Sequence, residues 1–176
     1  IILAAHKCYG MKRIGILRKD KRVELTPLIH GGKSTTLYRS GTPTTSLIIS
    51  ISKSLRLALC DLDKKYSYVN ALNKYIKDNM KKYDKVVVNS NENCIPHILN
   101  ISILGVKPET MQHALEKYEI YVSTKSACSK SNSRSEVLYT LTNNENIASS
   151  SIRISLSHLT TKEDINYFLD KFDKCY

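Results

Sequence analysis

Lys7, Arg39, Thr42, Cys128 and Arg153 are residues whose types and settings could do chemistry. Lys7 follows the apolar run Ile1-Ile2-Leu3-Ala4-Ala5 and precedes Tyr9-Gly10. It is expected to leave a strand at its tip, half-buried beside the imidazole of His6. Desolvation there disfavours an ammonium and leaves an amine suited to Schiff-base formation. The stretch from His30-Gly31-Gly32 to Arg39-Ser40-Gly41-Thr42-Pro43 combines glycines with a guanidinium and two hydroxyls. Glycines let a backbone approach a ligand, and Arg39, Ser40 and Thr42 suit a phosphate. Cys128 lies in the polar segment Ser123-Thr124-Lys125-Ser126-Ala127-Cys128-Ser129, between Lys125 and Lys130. Nearby ammonium groups favour the thiolate, and a thiolate on a loop can take sulfur from a substrate and carry it away. Arg153, central in Ile152-Arg153-Ile154, is expected to point inward and to need a carboxylate, internal or from a substrate. Each feature alone also has a plain reading: solvated lysine, surface loop, incidental cysteine, internal ion pair.

The elements that must position these residues are legible as hydrophobic patterns. Residues 13–17 and 86–88 read as short strands, as do 98–104 and 120–122. The stretch 152–156 alternates cleanly and reads as another strand. Residues 26–45 are rich in Gly, Ser, Thr and Pro, which marks a long loop of the kind that carries function. Helices are expected over 47–59 and 61–83, the second with Val69, Leu72, Ile76 and Met80 on one face. Pro108 opens another, to about residue 118. A short one spans 136–141. Thr160 to Glu163 forms a capping box for the last, whose inner face carries Ile165, Phe168, Leu169 and Phe172.

Composition bounds the function classes. The chain has 27 basic and 16 acidic residues over 176 positions, a formal charge of +11. Acidic partners are favoured by such a balance. The lysines are spread along the chain without an aromatic-interleaved patch, which argues against a nucleic-acid-binding domain. Five cysteines form no CxxC or C-x-H pair. Neither a disulfide framework nor a zinc site is indicated, and a reducing cytoplasm fits. No apolar run reaches membrane-spanning length.

Taken together and in order, the motifs resemble the NifS/IscS-type cysteine desulfurases of the class V aminotransferase family. That family carries Ser-x-His-Lys followed by Gly-Pro-Lys-Gly-Ile-Gly; here stand Ala4-Ala5-His6-Lys7 and Gly10-Met11-Lys12-Arg13-Ile14-Gly15. His30-Gly31-Gly32 and Arg39-Ser40-Gly41-Thr42 match its next motifs. Ser123 to Ser129 resembles its mobile Ser-Thr-Gly-Ser-Ala-Cys-Ser loop, and Ser151 to Leu156 its Ser-Ile-Arg-Ile-Ser-Leu strand. Met11, Arg13 and Lys125 stand where the family has Pro, Gly and Gly. Ala4 replaces a serine, and Lys33-Ser34-Thr35 replaces Gly-Gln-Glu.

The resemblance implies an α/β protein: the tail of the large domain of the PLP-dependent transferase fold type I (residues 1–61) plus the small C-terminal α/β domain (62–176). It implies pyridoxal 5'-phosphate as cofactor, held by Lys7, with His6 beside it. Thr42 would reach the cofactor phosphate of a partner subunit, so a homodimer is implied. Arg153 would bind the carboxylate of L-cysteine. Cys128 would take its sulfur, leaving alanine and a persulfide for a sulfur-acceptor protein, an iron–sulfur scaffold or a thiolation factor. The apolar opening reads as the end of a buried strand, and the family's ring-stacking and pyridinium-pairing residues lie upstream of its lysine. A missing N-terminal portion is therefore expected, with these 176 residues alone inactive. A truncated or degenerate homologue that only binds partners is the alternative.

Overall fold

The computed structural model describes residues 1–32, 36–124 and 134–176. Cys128, with Lys125 and Lys130, lies outside them. The described residues form two compact units, Ile1–Leu62 and Asp63–Tyr176.

In the first unit, β1 (Ile2–Ala4) pairs antiparallel with β2 (Gly15–Leu17), Ala4 opposite Gly15. A single 3₁₀ turn, Ala5–Cys8, follows β1 and ends at Tyr9 in the left-handed region. The Ala5 carbonyl accepts from the Gly10 N–H at 2.9 Å and closes the turn. Helix α1 (Thr45–Leu59) buries Ile51 and Ser54. The Ser54 hydroxyl donates to the Cys8 carbonyl at 2.6 Å, pinning the turn to the helix. The strand expected over 13–17 is shortened at its start because Arg13 sits at φ 70°, a conformation that crowds any Cβ. Arg13→Gly relieves that crowding at the cost of a freer unfolded chain, for a net stabilisation of up to about 1 kcal/mol. Hydrogen exchange of the β1 and β2 amides should slow accordingly.

The second unit is built on an antiparallel sheet ordered β3–β4–β5, with β3 (Val86–Val88), β4 (Ile98–Ile103) and β5 (Ser151–Ser155). Pleating sends Leu99, Ile101, Ile103, Ile152 and Ile154 to one face. There they pack with Val69 and Ile76 of α2 (Leu62–Met80), Met111 and Leu115 of α3 (Pro108–Glu116), and Phe168 and Phe172 of α6 (Lys162–Cys175). The other face is polar. Asn89 donates to Asn100 Oδ1 and to Ser102 Oγ, both at 2.7 Å. Ser102 donates in turn to the Ile147 carbonyl at 2.7 Å. Ile147 belongs to α5 (Glu145–Ser149), which follows α4 (Glu136–Thr142).

Three local expectations need correction. Residues 120–122 form no strand. The chain wraps the end of α3, and Ile120 N–H is spent on the Leu115 carbonyl at 3.2 Å. Among the described residues that follow α3, only Ser123 bridges to β5, opposite Arg153. Helix α5 was not expected; Asn143 ends α4 at φ 49° and Asn144 caps α5. The capping box of α6 lies one residue later than expected. Thr161 Oγ1 accepts from Asp164 N–H at 3.1 Å, and Asp164 Oδ2 from Thr161 N–H at 2.8 Å. Thr160 Oγ1 instead accepts from Ser157 N–H.

That box also carries a pH signature. The backbone and side-chain hydrogen bonds from Thr161 hold the Asp164 carboxyl below its ordinary 3.8. A carboxyl depressed in the folded state stabilises fully above its unfolded value and loses that contribution as pH falls through the folded one. Acid unfolding of the second unit should therefore gain pH dependence below about pH 4. Asp78, Glu116, Asp170 and Asp173, also held below their ordinary values, contribute to it. Asp164→Asn should remove only its own share in far-UV circular dichroism titrations.

Candidate functional site

Lys7 and His6 sit in the 3₁₀ turn and are both exposed. The half-buried position expected for Lys7 is corrected: the turn is backed by α1 on one side, and residues 1–62 supply no wall over the lysine. Its Nζ makes no hydrogen bond or ion pair among the described residues. Thr42 and Arg39 are also exposed, just ahead of α1. The residue before α1, Thr44, makes no side-chain cap bond, and the first turn holds no acidic residue. An uncapped helix start with a nearby guanidinium and hydroxyl favours an anionic oxygen.

Ser40 differs from expectation. Its hydroxyl donates to the His30 carbonyl at 2.8 Å and so ties the two ends of the loop together. Having donated, it has no proton for a phosphate. A Cβ on Gly31, at φ +150°, would lie 2.8 Å from Ser40 Oγ, so this closure needs glycine. Gly41, at φ +106°, turns the chain between Arg39 and Thr42.

In the second unit Arg153 does not point inward. The alternation that buries Ile152 and Ile154 turns Arg153 onto the polar sheet face, exposed and opposite Asn100. Among the described residues it forms no ion pair. Its guanidinium donates to Ser123 Oγ at 3.2 Å. The two backbones exchange hydrogen bonds as well, Arg153 N–H to Ser123 O at 2.6 Å and Ser123 N–H to Arg153 O at 3.1 Å. The segment that carries Cys128 thus departs from a residue locked to Arg153. Its return is anchored at Arg134, whose guanidinium bonds Glu136 at 3.0 Å and Glu145 at 2.5 Å and lies 3.6 Å over the Tyr139 ring. Those carboxylates push the Arg134 pKa above its ordinary value. Ser123 and Arg134 were missed in the sequence. Only the alternation of 151–156 hinted at a neighbour for Arg153, and the Arg134–Glu145 spacing carries no periodic signal.

Comparison with known proteins decides the family. Residues 1–168 match the model of "Aminotransferase class-V". The chain belongs to the class-V aminotransferase family. Among its class-V relatives, "Cysteine desulfurase IscS" of Vibrio vulnificus (strain YJ016) is 38% identical over 175 residues, covering 97% of this chain and 43% of the relative. The IscS of Buchnera aphidicola subsp. Baizongia pistaciae is 38% identical over 168 residues, 93% of this chain and 41% of the relative. A solved "NIFS-LIKE PROTEIN" superposes with a TM-score of 0.85 at 29% identity, covering 98% of this chain and 45% of that one. The chain is thus mixed α/β, with fold-type I neighbours, and spans less than half the length of these relatives.

Class-V proteins are pyridoxal-phosphate dependent. The donor types here fit that group: an exposed primary amine at Lys7, without a partner among the described residues, suits its aldehyde, and Thr42 with Arg39 and the uncapped start of α1 suit the phosphate of a second copy's cofactor. No helix among the described residues is long and apolar enough to cross a membrane.

Proposed function

We propose that these 176 residues are the lysine- and thiol-bearing portion of a pyridoxal-phosphate-dependent cysteine desulfurase. Residues 1–61 belong to its cofactor-binding domain and 62–176 form its small domain. Lys7 holds the cofactor through Nζ, His6 lies beside it, and Thr42 meets the phosphate bound by a partner subunit in a homodimer. Bound there, the cofactor supplies an electron sink for the substrate's carbon skeleton. Arg153 grips the carboxylate of L-cysteine in a fork. Lys7 Nζ moves the proton at the substrate Cα. The Cys128 thiolate attacks the substrate sulfur, and an S–S bond forms as the Cβ–S bond breaks. The bonding pair stays with Cβ and takes up a proton, and alanine leaves with the persulfide on Cys128. The persulfide then passes to an acceptor protein of the iron–sulfur or thiolation type. A cytoplasmic setting keeps Cys8, Cys60, Cys94 and Cys175 as free thiols.

One observation carries the reading: an exposed Arg153 with no acidic partner among the described residues, hydrogen-bonded to the residue from which the Cys128 segment departs. An exposed guanidinium held at Ser123 keeps its remaining N–H donors free for a carboxylate. A second reading, a partner-binding fragment without turnover, is favoured by the exposure of Lys7 and by the apolar side chains that α1 leaves uncovered, Ile48, Ile49, Leu57 and Leu59.

The test is a chimera in which residues 1–176 replace the matching stretch of Vibrio vulnificus IscS. Release of alanine from L-cysteine, with bound cofactor visible, is expected. A chimera that holds cofactor but releases no alanine would favour the partner-binding reading.

A further inference from the structure

Four residues stand in one row across the polar face of the β3–β4–β5 sheet. Asn89, just past β3, donates its backbone N–H to the Asn100 carbonyl at 2.9 Å. Asn100 of β4 is the cross-strand partner of Arg153 in β5, and Arg153 is that of Ser123. Backbone pairing sets how close Asn100 and Arg153 come. The bonds between β4 and β5 run through the alternate register positions, as Ile103 N–H to Ser150 O at 3.0 Å and Leu156 N–H to His97 O at 2.8 Å show beyond the two ends of β5. Asn100 and Arg153 are therefore a non-hydrogen-bonded pair, the kind whose side chains lie closest, with Cβ atoms about 4.5–5.5 Å apart.

Hydrogen bonding also fixes which way the Asn100 carboxamide faces. The Ile147 carbonyl can only accept, so the Ser102 hydroxyl gives it its proton at 2.7 Å. That hydroxyl then accepts from Asn89 Nδ2, whose second proton goes to Asn100 Oδ1, both at 2.7 Å. With its oxygen turned to Asn89 on the β3 side, Asn100 turns Nδ2 to the β5 side, where Arg153 stands. Asn100 Nδ2 makes no hydrogen bond among the described residues. Ser123 holds the far side of the Arg153 guanidinium. Two neighbouring side chains thus offer only donors, one of them cationic. Their complement is an anion with several acceptor sites on one carbon, which is a carboxylate.

We propose that Asn100 is a second residue for the substrate carboxylate: Arg153 grips the group, and Asn100 Nδ2 donates a further hydrogen bond to one of its oxygens. Asn89 is its positioning residue, since it holds the amide in the donating orientation. The inference rests on the desulfurase reading and adds to it a residue that selects substrates bearing an α-carboxylate.

The IscS chimera tests this by turnover of L-cysteine and by calorimetric affinity for L-alanine, which needs no turnover. Asn100→Ala should raise KM and weaken L-alanine binding about tenfold, with kcat within about twofold. Asn100→Asp keeps an acceptor for Asn89 but sets an anion beside Arg153, and should cost about a hundredfold in both. Unchanged KM and affinity in both variants overturn the proposal, whether or not kcat falls. A lower melting temperature with KM and affinity unchanged overturns it too, and would assign the donors to a carboxylate elsewhere in the polypeptide. A parent chimera that forms no alanine, yet binds L-alanine with the Asn100 dependence intact, overturns the desulfurase reading and leaves this assignment standing. One that neither turns over nor binds overturns both.

Discussion

Lys7→Ala in the IscS chimera leaves a protein that loses its visible cofactor colour on desalting and forms alanine from L-cysteine at least about a hundredfold more slowly. On the proposed reading two roles fall together in this substitution: the amine that would hold the cofactor is gone, and so is the base that would move the proton at the substrate Cα. His6, the neighbour in the turn, cannot replace it, because an imidazole forms no stable Schiff base with an aldehyde. The turn itself should survive: the contacts that shape it are the Ala5 carbonyl with Gly10 N–H and the Ser54 hydroxyl with the Cys8 carbonyl, and none uses the Lys7 side chain. Adding a small primary amine should restore part of the alanine production. Full colour and turnover in the variant would remove Lys7 from its role.

Cys128→Ser separates the two halves of the chemistry. Colour is retained, because Lys7 is intact, while persulfide on the protein disappears and alanine formation falls by about a hundredfold or more. The effect is large because a serine hydroxyl stays protonated near neutral pH, whereas a cysteine flanked by Lys125 and Lys130 has thiolate to offer. Cys94→Ser provides the contrast. Cys94 is exposed and bonded through its sulfur to Asn91 Oδ1 at 3.4 Å, and its loss should leave turnover unchanged. Full sulfur removal by the Cys128 variant would end the role assigned to that thiol.

How far the sequence discloses these arrangements depends on the kind of interaction involved. The core of the second unit is legible because Val69, Leu72, Ile76 and Met80 repeat at helical spacing and Ile152 and Ile154 alternate. Burial imposes those periods directly. The orientation of Arg153 was misjudged although the same alternation held the answer: flanked by two inward isoleucines, it must face the other way. The capping box slipped by one because Thr160 and Thr161 each stand three residues before an acid. The choice was made by Ser157, whose N–H occupies Thr160. The missing strand at 120–122 has an apolar, β-branched sequence, yet backbone bonds to the end of α3 outcompete pairing. Arg134 with Glu136, Glu145 and Tyr139 is tertiary chemistry across a chain reversal, with no local pattern to announce it. Arg13 is read from the sequence as the start of a strand, although it stands where the resembling motif has Gly, and its left-handed conformation became visible only from φ.

The most direct measurement is to locate the sulfur. The chimera is incubated with L-cysteine, alkylated, digested and examined by mass spectrometry for a peptide heavier by one sulfur atom. The persulfide is predicted on the peptide containing Cys128, and to be absent after Lys7→Ala. Sulfur found instead on Cys8, Cys60, Cys94 or Cys175, with Cys128 unmodified during active turnover, would contradict the account.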